Sequence, residues 1–365
     1  MKKSDGENWN QKGQVLIIVV IAFIALLAFA ALALDVGNLM VTKNELQNIS
    51  DGASLAATRR LGSIYETMPY ADQQTYNCSA DAPAIISVAQ EVGTMNIAAG
   101  VNITINAADV EIGQWNSGTK VFTPTYSQPD AVRVRARRDS SANGPIATFF
   151  ARILGINTMD VSATGTAALT AESTAGPGGL PVPVGISRRW FEDRAAFNFC
   201  NQPIRFYPTN DPSSCAGWHV YDRYSNMNDR VLRDTISDIE AGSYESPETI
   251  AYVTRYEFGG GTMSIQTFAA MKSLFDSRKV LNDGTIDNDT DSTTWTTGVP
   301  VFDSSDCSNP HGSTFIVGFA TIVITNVQDS PVHQIDGYVI CNNVEPGRGG
   351  GGEYGTKGSI PGLVQ

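Results

Sequence analysis

The chain has 365 residues, 42% hydrophobic and 17% charged, with a formal net charge of −12. That composition excludes a disordered chain and leaves room for two folded domains. The acidic balance opposes binding to a phosphate backbone, so no nucleic-acid partner is expected.

Residues 1–13 are polar and read as a short cytoplasmic tail. Gln14–Leu34, QVLIIVVIAFIALLAFAALAL, carries no charge over 21 residues. As a helix it is about 31 Å long, the thickness of a bilayer core, so 14–34 is expected to cross a membrane. A cleaved signal peptide ending at Ala31-Leu32-Ala33 is the alternative, but the run exceeds the usual 7–15 apolar residues of such a signal. A prepilin-type site at Lys12-Gly13 is discounted, because Ile18 stands where a glutamate is needed. Lys2, Lys3 and Lys12 precede the span and only Lys43 follows it closely. This bias predicts the N-terminus inside and the rest of the chain exported. The longest later apolar run, Phe315–Ile324, is too short to span.

Residues 35–62 continue the helix as an amphipathic extension. Val36, Leu39, Leu46, Ile49, Ala53 and Ala56 recur at helical spacing, and Gly62 is placed to stop it. The stripe is read either as packing on the chain's own domain or, through Leu39, Leu46, Ile49, Ala53 and Ala56, as a face for a partner helix.

Residues 63–170 are expected to form a first exported α+β domain. Helices are predicted over 83–99 and 145–154, and strands around Val101–Ile105, Val110–Ile112, Val121-Phe122, Ala131–Arg137 and Val161–Leu169. In Ala131–Arg137, apolar residues alternate with Arg133, Arg135 and Arg137, and Arg138 follows. The ladder is a solvated sheet face or a grip for an anionic partner. The Pro- and Gly-rich stretch 171–185 reads as a linker. Residues 186–346 form a second exported domain, with helices after Asn228 and Ser264 and strands near Val299–Phe302, Phe315–Val327 and Ile335–Cys341. Its aromatics, Trp218 among them, are a core or a stacking face for sugars. The Gly-rich tail 347–365 is expected to be flexible.

The five cysteines include no CxxC. On the exported side disulfides are allowed, and the local pairs Cys200–Cys215 and Cys307–Cys341 are expected, with Cys78 left over. Catalytic chemistry and cofactors are not expected: GxSxG, HExxH and P-loop patterns are absent, and Gly347–Gly352 matches GxGxxG without the strand and helix such a loop needs. The acidic run holding Asp283, Asp287, Asp289 and Asp291 is a calcium candidate on its oxygen content, but its spacing fails the EF-hand pattern.

Asp35-Val36-Gly37, Leu46-Gln47-Asn48, Asp51-Gly52-Ala53 and Leu55-Ala56-Ala57, following an apolar run, resemble the N-terminal region of TadE/TadG-like proteins of the bacterial Tad (Flp) pilus-assembly system. Gly52 and Ser54 stand where that family more often has Ala. DVEIGQW, AVRVRARR, NGPIATFFARILG and DVSATGTAAL extend the resemblance through residue 170. It implies an α+β protein of the bacterial inner membrane, a structural rather than enzymatic role, and other pilus-assembly proteins and the lipid bilayer as partners. A membrane-tethered module binding envelope glycan or protein is the alternative. Some TadG-like proteins carry a metal site resembling DxSxS. Here Cys307 replaces serine in the nearest run, Asp303–Cys307, so the metal is not carried over.

Overall fold

The computed structural model describes residues 9–194, 199–206, 215–259, 263–281, 293–308 and 310–365. Helix α1 runs unbroken from Trp9 to Tyr65, starting before the apolar run and passing through Gly37 and Gly52. Every large apolar side chain between Val15 and Leu34 is exposed. Burial changes abruptly after that. Asp35, Thr42, Leu46, Ile49, Ser50, Ala53, Ser54, Ala57, Thr58 and Leu61 are all buried. Three of the buried hydroxyls are satisfied locally: Thr42, Ser50 and Ser54 donate to the Asn38, Gln47 and Asp51 carbonyls, each at 2.9 Å, whereas Thr58 donates to the Ala167 carbonyl.

The sheets are mixed with helices, an α+β arrangement. A five-stranded sheet has the order Gly362–Leu363, Val161–Ala168, Ala131–Arg138, Val110–Asn116, Val121–Pro124. The chain divides into two compact units that interleave in sequence: 1–54, 86–110 and 133–165 form one, and 55–85, 111–132 and 166–365 the other. The stretch read as one domain, 63–170, is thus shared between them.

In the first unit, α1 comes so close to the strand Val161–Ala168 that a side chain at Gly165 has no space. A Cβ there would lie 2.5 Å from Asp51 Oδ1 and 2.8 Å from the Asp51 backbone nitrogen. Gln47 donates to Asp51 Oδ1 at 2.7 Å and to the Thr164 carbonyl at 3.2 Å, fixing the crossing. Gly165→Ala is therefore expected to destabilise the protein by about 1–3 kcal/mol, the usual cost of overpacking, as read from its urea unfolding midpoint.

The expected helix over 145–154 is absent. Ile146-Ala147 pairs with Thr158-Met159, and Ala151–Leu154 is one turn of 3-10 helix closed by Gly155 at φ +86°. The Phe149, Phe150 and Ala151 amides bond the Asp35 carboxylate, a tertiary partner that replaces helical bonding.

The second unit is built on an eight-stranded sheet. Five of its strands close a ring: Gly312–Gln328, Arg255–Gly259, Ala216–His219, Val184–Ser187 and Thr293–Phe302, the last pairing back onto the first. Val184–Ser187 and Thr293–Phe302 are parallel; the other ring pairs are antiparallel. Helices Asp229–Glu240 and Ile265–Arg278 start where expected. Asn228 and Ser264 cap them by accepting the Val231 and Thr267 amides. Leu232, Ile236, Ile239, Phe268, Met271 and Phe275 turn inward as their spacing predicts, whereas Ile265 stays exposed.

Two stretches expected to be loose are packed. In the presumed linker 171–185, Leu180 and Val182 are 1% exposed, and Thr174-Ala175 pairs with Thr249-Ile250. In the presumed flexible tail, Thr356–Ile360 runs parallel to Asn343–Arg348, and Gly362-Leu363 adds a strand to the five-stranded sheet. Glycine serves close approach here: a Cβ on Gly351 would fall 1.8 Å from the Glu172 carbonyl oxygen.

The disulfides also differ from the expected pairs. They join Cys200 to Cys341 and Cys215 to Cys307. Cys200 precedes the strand Pro203–Phe206, and Cys341 directly follows the strand Gln334–Ile340 that pairs with it, so register brings them together. Cys215 leads into Ala216–His219, and the Ser187 hydroxyl donates to the Asp306 carbonyl at 2.9 Å beside Cys307. Cys78 is free and buried, and burial pushes its thiol up to about 11.

Candidate functional site

The sequence pointed to a helix face, an arginine ladder, an aromatic cluster and an acidic loop. Leu46, Ile49 and Ala53 of the presumed partner-helix face are buried within the folded chain, while Leu39 and Ala56 are half-buried. That face is occupied, because its small and apolar residues fill the chain's own core. The opposite side leaves Val36, Met40, Val41, Lys43, Asn44 and Asn48 exposed.

The arginine ladder is largely spent internally. Arg137 pairs with Asp109 at 2.9 Å. Arg138, 7% exposed, donates to the Ala98 and Gly144 carbonyls at 2.8 and 2.9 Å, and Arg135 donates to the Ser162 hydroxyl. These bonds tie the strand to its neighbouring turns and leave no free row of guanidiniums for an anion. The aromatic cluster is core: Trp190, Trp218 and Tyr221 are at most 2% exposed. A sugar-stacking face around Trp218 is thereby removed.

Asp283, Asp287, Asp289 and Asp291 lie outside the described residues. Among the described residues, no group of three or more His, Cys, Asp or Glu side chains is placed to hold a metal.

Cavities in the second unit differ in character, and the one with the most side-chain amides is polar. It has a volume of about 290 Å³ and is lined by Gln73, Gln74, Gln114, Gln128, Asp130 and Lys357, among others. Its amides are committed: Gln73 donates to the Tyr65, Met68 and Val344 carbonyls and accepts the Val344 amide. Gln114 donates to Ser127 and Gln128, and Gln128 to Gln74. Lys357 and Asp130 pair at 2.6 Å. This is a hydrogen-bonded seam rather than a row of waiting donors. Elsewhere in this unit, Glu172 is raised well above the ordinary glutamate value by burial and then by Glu345, itself raised by burial.

The feature that sequence reading missed sits at the end of the apolar run. Asp35, 3% exposed, accepts the Phe149 amide on Oδ1 at 2.7 Å, and those of Phe150 and Ala151 on Oδ2 at 3.0 and 2.7 Å. Desolvation pushes this carboxyl up, but the three amide bonds and the Arg152 charge outweigh it and hold it below the ordinary value. A carboxylate directly after an apolar span and the unusually apolar run TFFARIL were the available signals.

A long apolar helix leading into an α+β body defines a class: one N-terminal helix, long and apolar enough to serve as a membrane anchor, carrying a folded part. Residues 13–60 match the family model described as putative Flp pilus-assembly TadE/G-like, and residues 71–167 match that described as putative Tad-like Flp pilus-assembly. Over those residues the chain is similar to TadE/TadG-like proteins of the Flp pilus-assembly system. Residues 168–365 lie outside both matches. Comparison with curated proteins and with solved structures found no match.

Proposed function

We propose that this chain is a membrane-anchored structural or accessory component of a Tad (Flp)-type pilus-assembly or secretion apparatus. The two pilus-assembly family matches, in succession along the anchor and the first exported residues, carry this reading. Supporting it are the wholly exposed apolar helix and a lysine bias that keeps the N-terminus in the cytoplasm. Two disulfides suit a body placed in the periplasm. The chain acts by holding and docking rather than by catalysis, and its partners are the bilayer and other assembly proteins. Docking uses the exposed side of α1, because the Leu46–Ile49–Ala53 side is filled.

A photo-crosslinking residue at Asn48, exposed on α1, tests this in native membranes. Recovery of pilus-assembly proteins on the crosslinked chain is the expected result. Recovery of the chain alone would remove the assembly reading.

A further inference from the structure

We propose that the loop between Ile146 and Met159 is a second membrane contact, which inserts Phe149, Phe150, Ile153 and Leu154 into the lipid interface beside the helical anchor. The proposal rests on the reading of residues 14–34 as a membrane span. Its occupant is the phospholipid interface of that same bilayer.

Position supports it first. An apolar helix of 21 residues rises about 31 Å and consumes the hydrocarbon core. Asp35, the next residue, then stands at the outer boundary. Its carboxylate holds three consecutive loop amides, so the loop is fixed at that level.

Exposure is the second support. Phe149 is 59% exposed, Phe150 40%, Ile153 80%, Leu154 79% and Ile156 49%. This patch continues the exposed apolar surface of Val15–Leu34 and of Val36 on α1. Left in water, so many large apolar side chains on one short loop are unfavourable, and such patches mark interaction surfaces.

The backbone is the third, and it selects lipid as the occupant. A segment that reaches the edge of the hydrocarbon region gains by having its N–H groups bonded within the protein, because water is lost there. Here Phe149, Phe150 and Ala151 donate to Asp35. Thr148 donates to the Asn157 carbonyl, Ile153 to Phe150, Gly155 to Arg152 and Ile156 to Ala151. The loop thus presents side chains outward while these seven amides are bonded within the protein. Arg152, exposed in the same turn, supplies a cation at the depth of lipid phosphates, and a long basic side chain can keep its charge there while the stem lies in apolar surroundings.

The test uses the full chain in phosphatidylcholine–phosphatidylglycerol vesicles. An environment-sensitive fluorophore is placed on Leu154→Cys, on Phe23→Cys within the span, and on Asn48→Cys farther along α1. Cys78 is buried and does not compete. Phospholipids bearing a nitroxide near the headgroup or near the chain end serve as quenchers. The Leu154 probe is expected to emit to the blue and to lose roughly half its emission to the shallow nitroxide, as a side chain inserted at the headgroup boundary would. The Phe23 probe should respond to the deep nitroxide and the Asn48 probe to neither. Quenching at Phe23 without quenching at Leu154 would overturn the loop contact and leave the anchor standing. A blue-shifted but unquenched Leu154 probe would show a protein cover and overturn it equally. No quenching at either position would mean that the span itself is not in lipid, and both readings would fall.

Discussion

A single cut between Asp289 and Thr290, made in the oxidised and urea-unfolded chain, should leave the two pieces joined until reductant is added. Both disulfides, Cys200–Cys341 and Cys215–Cys307, bridge that point. The local pairs suggested by sequence would release the pieces without reductant, so one non-reducing gel separates the two connectivities. The energetic consequence is large. The bridged cysteines are 141 and 92 residues apart, and in the chain-entropy model closing loops of this size removes about 5 kcal/mol of unfolded-state freedom each. A domain of ordinary stability has about 5–15 kcal/mol in total. The Cys200→Ser, Cys341→Ser double variant is therefore expected to lose most of its urea resistance. An unchanged midpoint would show that this bridge constrains little.

The error over connectivity marks the limit of sequence reading. Periodicity is a local property, and it located the apolar helix, the stripe on α1, the helices after Asn228 and Ser264, and the alternating strand Ala131–Arg138. What it could not supply was the partner of each feature. The stripe Leu46, Ile49, Ala53 looks the same whether it meets the chain's own core or another helix. Cys200 faces Cys341 because Pro203 registers with Tyr338, a pairing across more than a hundred residues. Glycines at 347–352 read as slack in composition, yet Gly351 is demanded by the Glu172 carbonyl. The segment 145–154 has helical spacing, but Asp35 takes three of its amides first. The carboxylate after the apolar run and the apolar TFFARIL are each visible locally, but nothing local in either stretch says that the two meet.

His219 sets a further large effect, and its sign can be worked out. The ring is fully buried among Tyr221, Tyr256 and Phe258, with centroids 4.6–5.3 Å away, and the Tyr221 amide lies 3.4 Å from its Nδ1. Burial among uncharged groups disfavours the cation and pushes its pKa down from 6.5 to about 3. Between those values the unfolded chain binds a proton that the folded chain refuses. Stability from this residue is fully present above pH 6.5 and drains away as pH falls toward 3, by on the order of 4 kcal/mol. Glu172 and Glu345 act oppositely: their raised values favour the folded state at low pH, and that contribution is lost as pH rises above about 4.5. Wild-type stability alone therefore mixes the terms, and a variant must isolate the histidine. His219→Phe keeps a ring in the same aromatic nest and cannot titrate. Its unfolding free energy, measured in urea, should fall less than that of the wild type between pH 6.5 and 4, with the gap widening steadily as pH drops. Parallel curves through that window would mean that His219 is already accessible to protons in the folded chain, and that the ring of strands around it is wetter than its burial implies.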